Sequence, residues 1–194
     1  MKKILLILPI AIILNSCEST RTPGCTDTLA INYESFADYD DGSCVYIEGC
    51  TDPLANNYDP LAVVEPVNEC QYSAPLKYYL DYSAVEYMNF WGISYYAFYQ
   101  EYNGLEYYIG DLTSDYWWSS APPNCLPEND GSALTTVLEW NGNYNNNTAS
   151  FTWSAYPDDG PVADYAYTEI LYPGVCVKLA LSKKKIQEYK QSKN

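Results

Sequence analysis

The 194-residue chain has no histidine, two methionines, and only ten Lys and Arg against 25 Asp and Glu. Without histidine there is no Ser–His nucleophile, no imidazole base and no histidine metal ligand. Between residues 22 and 177 the one basic side chain is Lys77, so this stretch repels phosphate backbones and argues against a nucleic-acid partner. Long apolar runs are also missing. The longest, Ile4 to Leu14, falls short of the roughly 20 residues that span a bilayer.

What is present begins with Lys2 and Lys3 ahead of that short run, the pattern of a secretory leader over residues 1–16. The leader ends in Leu14, Asn15, Ser16 and Cys17, which resembles the lipobox of bacterial lipoproteins, although the family usually has a small or apolar residue where Asn15 stands. The resemblance implies that Cys17 is acylated and becomes the new N-terminus, anchoring the chain to a membrane without a spanning helix. Losing Lys2 and Lys3 with the leader takes the formal charge from −15 to −17. Residues 17–23 then read as a polar tether.

Two cysteine-bounded segments follow, residues 24–46 and 49–72, and they are copies of each other. A shift of 25 residues pairs Gly24 with Gly49, Cys25 with Cys50, Asp27 with Asp52, Asn32 with Asn57 and Tyr33 with Tyr58. After one inserted residue Cys44 pairs with Cys70 and Tyr46 with Tyr72. Neither copy is large enough to bury a core. Repeat symmetry therefore points to one bridge in each, Cys25–Cys44 and Cys50–Cys70, with Cys44–Cys50 as the rival. Tyr33 and Tyr58 are expected to cover the bridges, and Ala30, Ala37, Ala55 and Ala62 to line the inner side of short turns. Cys125 and Cys176 are left to each other, so that with Cys17 lipidated all six remaining cysteines are oxidised, as in an exported protein. The opening GCTD, the central Asn-Tyr and the DDGSC-like ending resemble a short cysteine repeat of secreted and cell-surface proteins of the Bacteroidetes phylum. That resemblance implies location and modular build, with no activity attached. Asp27-Thr28-Leu29 also looks like the O-glycosylation signal of that phylum.

Residues 74–182 are rich in aromatic and β-branched side chains broken by turn signals. Eleven of the 22 tyrosines lie between Lys77 and Tyr116. Asn103-Gly104 predicts a type I′ hairpin between Ile93–Tyr102 and Leu105–Ile109. A helix over Val85–Tyr102 is the rival, opposed by Gly92 and the aromatic load. Ala133–Trp140 with Ala149–Tyr156, and Tyr165–Leu171 with Val175–Leu181, predict two further hairpins, and Lys77–Tyr82 and Tyr116–Ser119 further strands. The fold expected is mainly β, an antiparallel β-sandwich or flattened barrel preceded by two small disulfide-stapled repeats. The basic segment 183–194 reads as a solvated tail, or else as a segment that folds on the acidic body or touches anionic lipid.

Candidate sites follow from residue type. Trp117 and Trp118 are adjacent, so in a strand one faces out. With Tyr144 in the polar loop, the outward one forms a candidate binding surface for a glycan or protein. Glu101 and Glu106 flank the Asn103-Gly104 turn and are the carboxylate pair a glycoside hydrolase would need, but a non-catalytic role is the expectation. Asp38, Asp40 and Asp41 precede Gly42 as in a calcium loop. Counting back from Gly42, however, places Ala37, Tyr39 and Asp41 at the EF-hand ligand positions, which leaves at most an irregular calcium site, as at Asp158-Asp159-Gly160. The function expected is a cell-surface or outer-membrane lipoprotein with a binding domain. The alternative is a structural subunit whose strand edges and tyrosines join copies into an assembly.

Overall fold

The computed structural model describes residues 21–128, 130–143, 146–158 and 160–193. The chain divides into two compact units, the first ending at Tyr46 and the second starting at Ile47. Cys17, Tyr144 and Asp159 lie outside the described residues.

The first unit is one cysteine repeat. Among its described residues the regular structure is a pair of two-residue parallel strands, β1 (Pro23–Gly24) and β2 (Tyr39–Asp40), joined by turns. Asp27 starts the first turn, its Oδ1 accepting the Leu29 amide at 2.9 Å. Asn32 then clamps the chain end, since its side chain donates to Ser43 O and accepts from the Val45 amide, each at 2.7 Å. The Cys25–Cys44 bridge closes this loop.

The second unit opens with the other copy, bonded the same way. Asp52 accepts the Leu54 amide at 2.9 Å, and Asn57 clamps Glu69 O and the Gln71 amide at 2.8 Å. Cys50 bonds to Cys70, and the rival Cys44–Cys50 bridge does not form. Glycine stands at the repeat start because a Cβ on Gly24 or Gly49 would lie 3.1 or 3.2 Å from the Cβ of Ala37 or Ala62. Ala30 and Ala55 are buried. Tyr33 and Tyr58 meet Cys25 and Cys50 through backbone bridges; both cysteines are buried, and the tyrosines are more than two-fifths exposed.

Beyond the repeat, the second unit is mainly β. A three-stranded sheet has the order β6 (Ala133–Gly142), β3 (Cys70–Leu80), β9 (Val177–Leu181). A four-stranded antiparallel sheet has the order β5 (Leu105–Thr113), β4 (Tyr95–Tyr102), β7 (Ala149–Pro157), β8 (Tyr165–Leu171). The two form an open sandwich, not a closed barrel. Alternate residues Tyr72, Ala74, Leu76, Tyr78 and Leu80 of β3 are buried, as are Tyr96 and Phe98 of β4 and Phe151, Trp153 and Ala155 of β7. Between the sheets the Tyr78 ring stands edge-on to Phe98 at 5.8 Å and to Trp153 at 5.9 Å. Such aromatic pairs add about 0.5–1.5 kcal/mol each beyond their area burial.

Several expectations change. β3 begins at Cys70, so the second repeat runs directly into the sandwich instead of preceding it. The Asn103-Gly104 hairpin forms, with φ of 52° and 75°. The other two pairs are not hairpins, because β6 pairs with β3 while β7 pairs with β4 and β8. In the same way β9 leaves β8 to lie parallel to β3. Both connections cross from one sheet to the other. Residues 116–119 form no strand; Trp118 makes a single bridge to Asp81.

Two helices complete the unit. α1 (Tyr82–Trp91) is capped by Asp81, which accepts the Ala84 amide, and ends at Gly92 in the left-handed region. α2 (Lys183–Ser192) occupies the basic segment and buries Ile186. That segment is therefore not a solvated tail. Lys190 pairs with Asp164 at 2.6 Å, and the Lys185 amine lies 5.5 Å from the Trp153 and Tyr165 ring centres.

Candidate functional site

The outer face of the four-stranded sheet carries the most built-up surface feature. Because β4 alternates, Tyr96, Phe98 and Gln100 turn inward and Tyr95, Ala97, Tyr99 and Glu101 turn outward. Ala97 is thus flanked along its own strand by two tyrosines. Across the sheet its partners are Asp111 on β5 and Tyr156 on β7. A small residue surrounded by large ones leaves a cup, with Ala97 as floor and Tyr95, Tyr99 and Tyr156 as walls. Its volume is about 430 Å³, and Glu106 and Asp158 stand at the rim.

The walls hold one another in place. The Tyr99 ring lies 5.2 Å from Tyr156, nearly perpendicular, and 5.3 Å from Tyr108. Both carboxylate oxygens of Asp158 accept the Ser94 amide, at 3.1 and 3.0 Å, which ties the start of β4 to the end of β7. A bulge on β5 shapes the strand beside the cup: Phe98 faces Gly110 but Tyr99 faces Tyr108, so Ile109 is skipped. That extra residue brings Tyr108 and Asp111 to the same face. The bond to Asp111, then partial burial and the charge of Asp111, push the Tyr108 hydroxyl up to about 12, so it stays protonated. Beside the cup Thr152 and Thr168 touch through their hydroxyls at 2.9 Å.

Glu101 and Glu106 sit directly opposite each other on this face, as the hairpin predicts, and both are exposed. The arrangement presents aromatic walls, carboxylate acceptors and a small floor. This suits a ring with apolar faces and hydroxyl edges.

The residues singled out from sequence fall elsewhere. Trp117 is exposed and pairs with Tyr82 at 5.6 Å. Trp118 turns in, donates from Nε1 to Ser132 O at 3.1 Å, and has the Lys77 amine 5.3 Å from its ring centre. Lys77 itself is fully buried, paired with Glu128 and donating to Leu126 O. The proline-rich loop that covers Lys77 is held by Cys125–Cys176. Asp38, Asp40 and Asp41 do not converge on a calcium site, because each bends to a separate backbone amide, of Thr22, Gly42 and Ser43. Among the described residues the acid and thiol atoms that do come together are Cys50, Glu65 and Cys70, and there the sulfurs are bonded to each other.

The cup was not legible in the sequence, since it depends on cross-strand register and on the β5 bulge. The tyrosine-rich run 95–108 was the one signal that pointed to it.

Three disulfides and an open sandwich define an exported, mainly β protein. Among the described residues no helix is long and apolar enough to cross a membrane. The chain matches no protein-family model, no curated protein and no solved structure.

Proposed function

We propose that the chain is a surface lipoprotein, anchored through Cys17, that binds a neutral glycan without catalysis in the cup around Ala97. The observation that carries this reading is the convergence of Tyr95, Tyr99 and Tyr156 on one small residue, with Glu106 and Asp158 at the rim. Tyrosine faces take the apolar side of a sugar ring, and carboxylates accept its hydroxyls. The same carboxylates, in a chain of formal charge −15, disfavour uronic and other acidic sugars. Glu101 and Glu106 lie side by side on a strand surface, an arrangement that supports binding better than attack from two sides of a glycosidic bond.

A glycan-array comparison tests it. The unchanged chain is expected to select neutral glycans, and Tyr99→Ala with Tyr156→Ala to lose them, while Trp117→Ala keeps them. Retained binding in the double variant, or loss in the Trp117 variant, would move the site away from the cup.

A further inference from the structure

α1 buries one stripe, Ala84, Val85 and Met88, and leaves another in solvent. At its C-terminal end Phe90 is 78% exposed and Trp91 61%. Phe90 and Trp91 stand edge-to-face at 5.2 Å, and Tyr87 adds a third ring 6.2 Å from Trp91. Tyr87 packs on the core and Tyr82 on Trp117, which leaves Phe90 and Trp91 as the outermost rings. Exposed aromatics clustered in this way mark an interaction surface.

The charge beside them narrows the partner. α2 lies along α1: the Lys183 amide donates to Ser83 Oγ at 3.1 Å, and the Lys190 amine donates to Tyr87 at 3.1 Å. Glu86, Tyr87, Phe90, Trp91, Lys183 and Gln187 line one shallow cleft of about 390 Å³. Of the eight basic residues beyond the leader, five are Lys183, Lys184, Lys185, Lys190 and Lys193. Lys77 is buried, Lys190 is paired with Asp164 and Lys185 is half-buried over Trp153 and Tyr165, so the exposed positive charge of this end rests on Lys183, Lys184 and Lys193, while the rest of the chain is acidic.

We infer that the α1–α2 end of the second unit docks onto an anionic bilayer surface. Trp, Tyr and Phe settle at the headgroup boundary because one end of each ring system is apolar and, in Trp and Tyr, the other is polar. Lysines beside them are attracted to an anionic surface. The acidic remainder is repelled by that surface, so charge alone fixes which end faces it.

The test uses the exported full chain reconstituted with vesicles carrying acyl-chain bromine, which quenches nearby tryptophan. Vesicles of phosphatidylcholine with phosphatidylglycerol are expected to quench the fluorescence, and phosphatidylcholine alone is not. Trp91→Phe removes the quenched component while preserving the ring, and Lys183→Gln with Lys184→Gln loses quenching although all tryptophans remain. Equal quenching in Trp91→Phe and the unchanged chain, or on both lipid mixtures, overturns the inference. Absence of quenching on anionic vesicles also overturns it, and leaves an acidic protein as the occupant of this face.

Discussion

The Tyr72 hydroxyl donates to Asp52 Oδ2 at 2.9 Å, and this bond joins the second cysteine repeat to the strand that carries it into the sandwich. Asn147 donates to the same oxygen at 3.0 Å, and its carbonyl accepts Trp140 Nε1 at 3.2 Å. The first repeat has the equivalent bond, Tyr46 to Asp27 at 2.8 Å, but there both residues are only half-buried. Tyr72→Phe leaves a buried carboxylate short of a donor and is expected to lower stability by about 1–3 kcal/mol. Tyr46→Phe costs less. Urea unfolding of the two variants checks the difference.

Acid should reveal the same carboxylate. Burial raises the Asp52 pKa, but the Leu54 amide, Asn147 and Tyr72 together outweigh it and hold the group below the usual aspartate value. A depressed folded pKa means stability that is present above about pH 4 and lost as pH falls through the folded value. Asp52→Asn therefore unfolds more easily at pH 7 but with a flatter decline below about pH 4. Thermal melts across that range measure both.

The bridges are expected to act unequally. Cys70 is the first residue of β3 and fully buried, whereas the Cys25–Cys44 loop lies wholly inside the first unit. Cys50→Ser with Cys70→Ser lowers the stability of the sandwich by about 3 kcal/mol. Cys25→Ser with Cys44→Ser leaves the sandwich transition where it was. Near-ultraviolet circular dichroism, dominated by the tyrosines and tryptophans of the second unit, follows that transition.

Gly142 is a position where even one methyl group does not fit. A Cβ there would overlap the Asn146 backbone oxygen and lie 3.2 Å from Tyr72 Cε2. Gly142→Ala is expected to cost more than about 2 kcal/mol, read from the denaturation midpoint.

Much of this architecture was legible in the sequence, for reasons that show where such reading stops. The bridges followed from copies aligned at a shift of 25 residues, and the Asn103-Gly104 turn from two residues that tolerate positive φ. The strands β6, β7, β8 and β9 were visible as alternating runs, but their partners were not, because alternation says which face is buried and nothing about which sheet a strand joins. α1 was obscured by its aromatics, and Gly92, read as an argument against a helix, is its C-terminal cap. Tyr108 and Asp111 share a face through the skipped Ile109, which no period-2 reading anticipates. Lys77 stood out in the sequence as an isolated cation, and the loop that buries it is fixed by a bridge 51 residues long.

The lipid anchor is checked by intact-mass measurement of the native exported chain. The expected mass begins at Cys17 with acyl chains attached and includes six cysteines that resist alkylation until reduced. A chain of unmodified N-terminus with six free thiols would contradict it.

The cup itself is tested most directly by filling it. Ala97 faces outward and is half-buried, so Ala97→Tyr removes the floor space without entering the core. Measured against the strongest neutral glycan from the array, titration calorimetry should show affinity falling by at least about tenfold, or 1.4 kcal/mol, with the melting temperature unchanged. Unaltered affinity in a folded Ala97→Tyr chain would contradict a glycan site at this face.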